Sequence, residues 1–388
     1  MLTDLMEKQP RRILLMYITK VSGHRQATVA IQKSLKQTMP DAEIMSINGF
    51  EYIYPILEKV VNKAYMGVIK RVPQIWDKMY DNPKLVKRSK LIKEFLNKNS
   101  HKKLRKLFDE FQPDTVICTQ AFPCGMVADF KTTYKLPFKL IGVLTDFAPH
   151  AYWLNPGVDY YVVPSEDSKK RFVAEGIPAA AIKVFGIPIR MKFAEKPSKK
   201  EIAHDLGIDA QVPTVLVMGG GQGLGPIKKV VKSLLKLHRT LQLIVISGVN
   251  TKLMDWLRKA QGKTDKKLII YDYANNVDEL MDVANIIITK PGGMTTSECL
   301  AKGLPMIIVN PIPGQEEHNT NFLMKKGIAL RVDDIDEIAY EVDELLDSPE
   351  RLASMSKAAR EQGRPNAAQD IAELVLSLPP KPAALVAS

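Results

Sequence analysis

Cysteine is scarce in this sequence of 388 residues, and long apolar runs are missing. Its three cysteines, Cys118, Cys124 and Cys299, are too few for a disulfide framework, and no Cys-x-x-Cys or Cys/His cluster has the spacing of a metal site. No stretch reaches the roughly 18 consecutive apolar residues that a membrane-spanning helix needs. Acidic residues precede any apolar run at the N-terminus, which argues against a signal peptide. We therefore expect a protein of a reducing compartment, without a bound metal or a membrane-spanning helix.

Acidic residues are also outnumbered. The chain has 43 Asp and Glu against 55 Lys and Arg, so its formal net charge is +12. This balance favours an anionic partner, for which nucleic acid, an anionic membrane surface and a phosphorylated substrate are the candidates. The hydrophobic fraction of 45% is ordinary for a folded protein, and the length suggests two or three domains.

The basic excess is concentrated in residues 59–106. This block holds fifteen Lys or Arg and three acidic residues, so its excess equals that of the whole chain. Apolar residues from Ile53 to Ile69 recur at spacings of three and four, as on one helical face. A basic amphipathic helix with nearby aromatic residues is typical of proteins that lie on anionic lipid, although such a helix can also pack against its own core. The predicted membrane residues are Lys59, Lys63, Tyr65, Lys70, Arg71, Trp76, Lys87 and Arg88.

Nucleic acid is the competing partner for this charge. No helix-turn-helix, zinc-finger or RNA-binding signature accompanies the basic block. We therefore expect no nucleic-acid binding.

Short β-rich runs alternate with helical patterns, which favours parallel sheets covered by helices. Strands are predicted in the first half at residues 13–18, 42–47, 115–118, 139–143, 160–163 and 183–185. Strands are predicted in the second half at residues 214–218, 241–247, 268–271, 285–289, 305–309 and 329–332. The predicted divisions are an N-terminal domain over 1–190, a linker over 191–212, a C-terminal domain over 213–365, and a helix end with a loose tail over 366–388.

A first glycine-bearing loop, Ser22-Gly23-His24, follows the first predicted strand. In parallel α/β domains, the carboxyl ends of the strands border the crevice where ligands bind. His24 would stand at or near a helix N-terminus, which lowers the pKa of a histidine and favours its neutral, proton-accepting form. His24 is therefore a candidate general base, and the alternative is a capping or packing histidine.

Two further loops have the glycines that let a backbone approach phosphate. They are the five-glycine run in residues 218–225 and Lys290-Pro291-Gly292-Gly293, and each leads into a predicted helix whose N-terminus would favour an anion. The first lacks the Lys-Ser/Thr of a P-loop, and the strand that follows does not end in the acid of an NAD site. Glu298 could bond a ribose diol or simply stabilise a helix N-terminus. The polar residues 315–319 suit sugar hydroxyls or a surface loop.

Together these motifs resemble the GT-B glycosyltransferases of the monogalactosyldiacylglycerol synthase type, which include bacterial processive diacylglycerol β-glucosyltransferases. The resemblance runs from about residue 12 to 366 and includes the Gly-His and glycine-rich loops, Thr-Asp-Phe-Ala-Pro-His at 145–150, Pro-Gly-Gly-Met-Thr-Thr-Ser-Glu at 291–298, Gly-Leu-Pro at 303–305 and Gly-Gln-Glu-Glu-His-Asn at 314–319. Ser22 departs from the pattern, which commonly has glycine or alanine there. The implied fold is α/β of the GT-B type, with two Rossmann-like αβα domains facing an inter-domain cleft.

The resemblance implies an inverting, metal-independent transfer of a hexose, with glucose as the first choice, from a UDP-hexose to the hydroxyl of diacylglycerol. It implies no cofactor, and a cytoplasmic enzyme held peripherally on the inner face of the cell membrane. The alternative is a GT-B enzyme that uses UDP-GlcNAc, either a lipid-linked N-acetylglucosaminyltransferase or a UDP-GlcNAc 2-epimerase.

The family's site residues can be carried over by position. His24 would be the base, with Asp146 and His150 near the acceptor and able to assist or replace it. The implied donor-binding residues are Gly220 and Gln222 beside the diphosphate, Gly292, Gly293, Thr295 and Thr296 on the diphosphate, Glu298 on the ribose, Tyr273 at the uracil, and Gln315, Glu316 and Asn319 on the sugar.

Overall fold

The computed structural model describes residues 10–18, 22–55, 90–147 and 151–379, with the side chains of residues 90–99 and 151 left out. As far as these ranges reach, the chain forms two compact units. The first covers Met1–Thr145, Pro149–Ile189 and Asn366–Ser388, and the second covers Asp146–Ala148 and Arg190–Pro365.

The first unit is built on a parallel sheet in the order β2-β1-β3-β4-β5-β6. Its strands are β1 (Arg12–Tyr17), β2 (Glu43–Asn48), β3 (Thr115–Cys118), β4 (Lys139–Val143), β5 (Tyr160–Val162) and β6 (Ile182–Lys183). Its helices before residue 190 are α1 (Gly23–Thr38), α2 (Gly49–Ile53), α3 (Lys90–Phe111), α4 (Ala121–Tyr134) and α5 (Glu166–Ala174).

Strand β1 shows why these strands are apolar throughout. Leu14 and Met16 pack in one core with residues of α3 and α4, whereas Ile13 and Leu15 pack in a second core with residues of α1. All four side chains are fully buried. A strand covered on both faces needs apolar residues at every position, as expected for a central strand of a parallel sheet.

The second unit holds a second parallel sheet, in the order β12-β11-β10-β7-β8-β9. Its strands are β7 (Thr214–Met218), β8 (Gln242–Ile246), β9 (Lys267–Tyr271), β10 (Ile286–Thr289), β11 (Met306–Val309) and β12 (Ala329–Val332). Its helices are α6 (Lys199–Asp205), α7 (Ile227–Leu235), α8 (Thr251–Gln261), α9 (Val277–Val283), α10 (Gly293–Lys302), α11 (Gln315–Lys325), α12 (Ile338–Leu346) and α13 (Pro349–Gln362).

The last described helix, α14 (Ala367–Ser377), belongs to the first unit although it follows the second in sequence. Ile371 and Val375 of α14 share a core with Ile31 and Leu35 of α1. Arg11, just before β1, donates to backbone carbonyls at the C-terminal end of α14. Residues 366–388 are predicted to stand apart from both domains, whereas the structure places the described part of this segment on the N-terminal unit.

The predicted α/β class with two parallel sheets is confirmed, and a strand lies at each of the twelve predicted positions. Several boundaries differ by one residue, as in β1, which spans Arg12–Tyr17 instead of residues 13–18, and β6 pairs at Ile182–Lys183 instead of residues 183–185. The segment 191–212, expected to be a linker, contains α6 and belongs to the second unit.

No helix within the described ranges is both long and apolar enough to cross a membrane. The predicted membrane residues, Lys59, Lys63, Tyr65, Lys70, Arg71, Trp76, Lys87 and Arg88, lie outside the described residues. Their role stays a prediction.

Candidate functional site

Each sheet has a point where its strand order reverses, and the predicted site residues follow the strands at those points. In the first sheet β1 and β3 are neighbours while the chain between them runs out to β2, and in the second sheet β7 and β10 are related in the same way. The crevice outside the carboxyl ends of two such strands is the usual ligand site of an open α/β sheet. His24 follows β1, the glycine-rich loop follows β7, and the Pro-Gly-Gly loop follows β10.

His24 lies in the first turn of α1, which Ser22 caps by accepting a hydrogen bond from the Arg25 N–H at 3.3 Å. Its Nδ1 lies 3.1 Å from the Thr119 carbonyl oxygen, just after β3, and 2.8 Å from the Thr145 hydroxyl, just after β4. Burial lowers the pKa of His24 to about 4, because desolvation penalises the charged ring more than the Thr119 carbonyl stabilises it. His24 is therefore neutral at pH 7, as a proton acceptor must be.

Asp146 is a buried carboxyl in the second unit, only 7% exposed. It accepts a hydrogen bond from the Gln315 side-chain amide. Desolvation and the nearby charge of Glu316 raise the pKa of Asp146 to about 7. A carboxyl with that pKa can exchange a proton near neutral pH, so Asp146 has the electrostatics of an acid–base group.

The glycine-rich loop after β7 folds tightly against the loop after β8. Gly223 has φ +59°, and a Cβ added to it would lie 1.9 Å from the Ser247 carbonyl oxygen. The Val249 N–H donates to the Gly221 carbonyl at 3.1 Å. The N–H groups of Gly220, Gly221 and Gln222 make no hydrogen bond to any part of the chain that the structure describes. These N–H groups are therefore available to an anion.

The N-terminus of α10 is a second group of available donors. Gly292 stands at the N-cap position and supplies no side-chain cap, so the first-turn N–H groups at Gly293 and Thr295 lack that partner. The Thr296 hydroxyl is buried without a hydrogen-bond partner among the described residues. The adjacent Ser297 hydroxyl instead donates to the Gly293 carbonyl at 2.9 Å. An uncapped helix N-terminus with a spare buried hydroxyl suits a phosphate.

Glu298 lies one turn into α10, near two charged residues that the sequence analysis did not single out. Desolvation raises the pKa of Glu298 to about 7; the charge of Arg190 opposes this and that of Asp278 adds to it. Arg190 itself donates to the Asn275 carbonyl at 2.7 Å and lies 3.5 Å from an Asp278 oxygen. Arg190 thus ties the loop after β9, where Tyr273 is 54% exposed, to the neighbourhood of Glu298.

The residues predicted to bind the sugar make hydrogen bonds and an ion pair with other residues of the protein. Glu316 pairs with Lys290 at 3.1 Å and accepts the Ile312 N–H at 2.7 Å through the same oxygen. Asn319 is fully buried; its carbonyl oxygen accepts the Phe147 N–H at 3.1 Å, and its amide donates to the Pro291 carbonyl at 2.8 Å. Asn319 therefore organises two loops, and a direct bond to sugar stays a prediction.

The structure thus brings together three sets of predicted residues. Asp146 joins Gln315, Glu316 and Asn319; Gly220 and Gln222 share one loop with Tyr273 close by; and Gly292, Gly293, Thr295, Thr296 and Glu298 share the start of α10. His24 lies in the first unit, and the other described site residues lie in the second. His150 lies outside the described residues.

Sequence reasoning missed the residues that hold these groups, chiefly Thr119, Thr145, Arg190 and Lys290. Thr145 and Lys290 each stand inside a recognised motif, which was the available signal, but neither side chain was given a role. Thr119 and Arg190 carry no such signal, because their contacts reach residues 95 and 88 positions away.

Comparison with solved structures defines the class. The chain is similar to MurG of Acinetobacter baumannii, with a TM-score of 0.67 at 14% identity over 95% of this chain and 100% of that one. It is also similar to a UDP-GlcNAc 2-epimerase from Neisseria meningitidis bound to UDP-GlcNAc, with a TM-score of 0.59 at 17% identity over 94% of this chain and 100% of that one. The fold is that of the GT-B glycosyltransferases.

Sequence comparison names the family. Residues 24–189 match the family model "Monogalactosyldiacylglycerol (MGDG) synthase", and residues 214–372 match "Glycosyltransferase family 28 C-terminal domain". A processive diacylglycerol beta-glucosyltransferase of Bacillus cereus (strain AH187) is 30% identical over 376 residues, which cover 96% of this chain and 95% of that protein. The chain belongs to the family of the processive diacylglycerol β-glucosyltransferases, and the resemblance found in the sequence is confirmed.

Proposed function

We propose that this protein transfers a hexose, with glucose as the first choice, from a UDP-sugar to the hydroxyl of diacylglycerol, with inversion at the anomeric carbon. Relatives of this chain are named for diacylglycerol glucosyl transfer. The observation that carries the donor half of the proposal is the uncapped N-terminus of α10 with the buried, unpartnered Thr296 hydroxyl. We place the reaction at the cytoplasmic face of the cell membrane, where the lipid acceptor resides.

The donor would be held by backbone more than by cationic side chains. The diphosphate would take N–H groups from Gly293 and Thr295, the Thr296 hydroxyl, and the Gly220–Gln222 loop, and would lie beside Gly292, whose own N–H donates to the Lys290 carbonyl at 2.9 Å. These donors are aimed before the reaction starts, so they can stabilise the charge that develops on the leaving UDP without a metal. No cofactor enters this scheme.

The rest of the donor would take side chains. The Glu298 carboxylate would accept both ribose hydroxyls, and the uracil would lie along the loop that carries Tyr273. Arg190 supports this assignment, because its charge favours the ionised form of Glu298 that accepts two hydroxyls. Gln315 and Glu316 would border the sugar.

His24 is the proposed base. Its neutral ring would take the proton of the acceptor hydroxyl as the acceptor oxygen bonds to the anomeric carbon and the bond to UDP breaks. Asp146 is the second candidate, since its pKa of about 7 also suits proton transfer.

The decisive test is a product assay with diacylglycerol vesicles and radiolabelled UDP-glucose, UDP-galactose or UDP-GlcNAc. We expect a labelled glycolipid, and we expect His24→Ala to lower kcat about 100-fold or more, the usual contribution of a general base. His204→Ala is the matched control, because His204 is an exposed histidine of the other unit. Wild-type turnover in His24→Ala would shift the base to Asp146. Conversion of UDP-GlcNAc with no lipid present would favour the epimerase alternative over the whole proposal.

A further inference from the structure

Three threonines surround His24, and each comes from a different part of the first unit. Thr28 lies one turn further along α1, Thr119 follows β3 and Thr145 follows β4. Their exposed fractions are 0%, 0% and 4%. Buried hydroxyls need hydrogen-bond partners, and these three find them around one histidine.

The main chain of His24 is anchored first. Its carbonyl accepts hydrogen bonds from the hydroxyls of Thr28 and Thr119, both at 3.0 Å. These two hydroxyls also lie 2.9 Å from each other. The backbone at His24 is therefore tied to the end of β3 as well as to its own helix.

The ring is held at one nitrogen. Nδ1 lies 3.1 Å from the Thr119 carbonyl oxygen and 2.8 Å from the Thr145 hydroxyl. A carbonyl oxygen can only accept, so a favourable contact requires the proton to be on Nδ1. The Thr145 hydroxyl can share that proton as a second acceptor. In the opposite tautomer two lone pairs, of Nδ1 and of the Thr119 carbonyl, would face each other at 3.1 Å.

We propose that the Thr119 carbonyl keeps His24 in the tautomer protonated at Nδ1, and that the Thr145 hydroxyl, 2.8 Å from the same nitrogen, is a positioning group that holds the ring in place, so that Nε2 carries the lone pair that takes the acceptor's proton. This inference rests on the proposed function for the identity of the proton donor. The Nδ1–H bond is the same before and after Nε2 gains its proton. The ring therefore needs no reorientation during the transfer. The two groups that contact Nδ1, the Thr119 carbonyl and the Thr145 hydroxyl, are uncharged. Neither forms an ion pair with the protonated ring, so the ring can readily release the proton that Nε2 has taken.

Thr145 can be tested with two substitutions of opposite character. Thr145→Val keeps the shape and removes the hydroxyl, and we expect kcat to fall roughly tenfold or more with both KM values unchanged. Thr145→Ser keeps the hydroxyl and should stay within about twofold of the wild-type kcat. Thr132→Val is the control, because it removes a threonine hydroxyl that, among the described residues, donates to the Ala128 carbonyl of its own helix. Wild-type kcat in Thr145→Val, or equal losses in the Val and Ser variants, would overturn the proposal.

A second measurement does not depend on turnover. ¹⁵N spectra of histidine-labelled protein, with the His24 signals identified by their loss in His24→Ala, report which ring nitrogen carries the proton. We expect a protonated Nδ1 and an unprotonated Nε2 in the wild type, and the same tautomer in Thr145→Val, because the Thr119 carbonyl remains. The opposite tautomer in the wild type would overturn the proposal even if the enzyme is active. The expected tautomer in a protein that forms no glycolipid would instead show that the proposed function has failed.

Discussion

At the scale of single residues, the candidate site residues of the two units include titratable groups whose surroundings move their pKa values in opposite directions. His24 is kept neutral by burial, with its pKa lowered to about 4, and Asp146 is kept protonable, with its pKa raised to about 7. Both shifts arise mainly from desolvation, which disfavours the charged form of either group. The residue types were visible in the sequence, but their burial was not, because burial depends on segments far apart along the chain.

Asp146 should lower the protein's free energy of unfolding at neutral and alkaline pH. Its carboxyl holds a proton in the folded state up to about pH 7, whereas the unfolded carboxyl releases it near 3.8. Stability must therefore fall as the pH rises through that window. We expect Asp146→Asn to unfold with a free energy roughly 4 kcal/mol higher than the wild type at pH 8, and the difference to vanish near pH 3.

The measurement for Asp146→Asn is urea unfolding at several pH values, with Asp255→Asn as the control. Asp255 is an exposed carboxylate of α8, so its replacement should leave stability nearly unchanged at every pH. A stability difference for Asp146→Asn that does not depend on pH would contradict the assigned cause.

At the scale of elements, the conformation of the glycine-rich loop depends on close backbone contacts as well as on the flexibility of glycine. The glycine run was recognisable in the sequence as a phosphate-type loop. The loop after β8, which packs against it, could not be recognised in the same way. The two loops meet through the backbone of Ser247 and Val249, and such a contact leaves no side-chain pattern in the sequence. Helix α14 is a similar case: a helix end was expected at the start of residues 366–388, but only the tertiary structure shows that the helix packs against α1.

Gly223→Ala should disrupt this pair of loops. The new Cβ would meet the Ser247 carbonyl oxygen at 1.9 Å, and the backbone there has φ +59°. We expect a loss of at least about 2 kcal/mol, seen as a Tm lower by roughly 5 °C, together with weaker UDP binding by calorimetry. Gly262→Ala is the control, since a Cβ there meets nothing within 4 Å. Unchanged Tm and UDP affinity in Gly223→Ala would show that the loops are not packed as described.

At the scale of the whole molecule, the excess positive charge and the candidate phosphate-binding groups lie in different parts of the chain. The basic excess lies in residues 59–106 of the N-terminal half, whereas the candidate phosphate-binding groups, in the second unit, are glycines, hydroxyls and backbone N–H groups. The net charge therefore favours an anionic lipid surface as its partner, and leaves the phosphorylated donor to groups that a charge count does not detect.

Binding to lipid vesicles should depend on the basic residues of the block 59–106. We expect co-sedimentation that requires anionic lipid and weakens as salt is added, because each basic residue near such a surface contributes about 1 kcal/mol that salt screens. Replacing Lys87 and Arg88 together by Gln should weaken binding about tenfold or more. The same change at Lys259 and Lys263, exposed lysines of the second unit, should have little effect. Equal binding to neutral vesicles would contradict the prediction.

The sequence by itself determined the class of the fold and the segments that carry the chemistry. Buried parallel strands must be apolar along their whole length, and phosphate loops need glycine, so both leave local patterns that can be recognised. The tertiary structure decided which groups meet: His24 with Thr119 and Thr145, Asp146 with Gln315, and α14 with α1. Hydrogen bonds and desolvation act between atoms that are close in space, and residues far apart in the chain leave no shared pattern from which such contacts could be predicted.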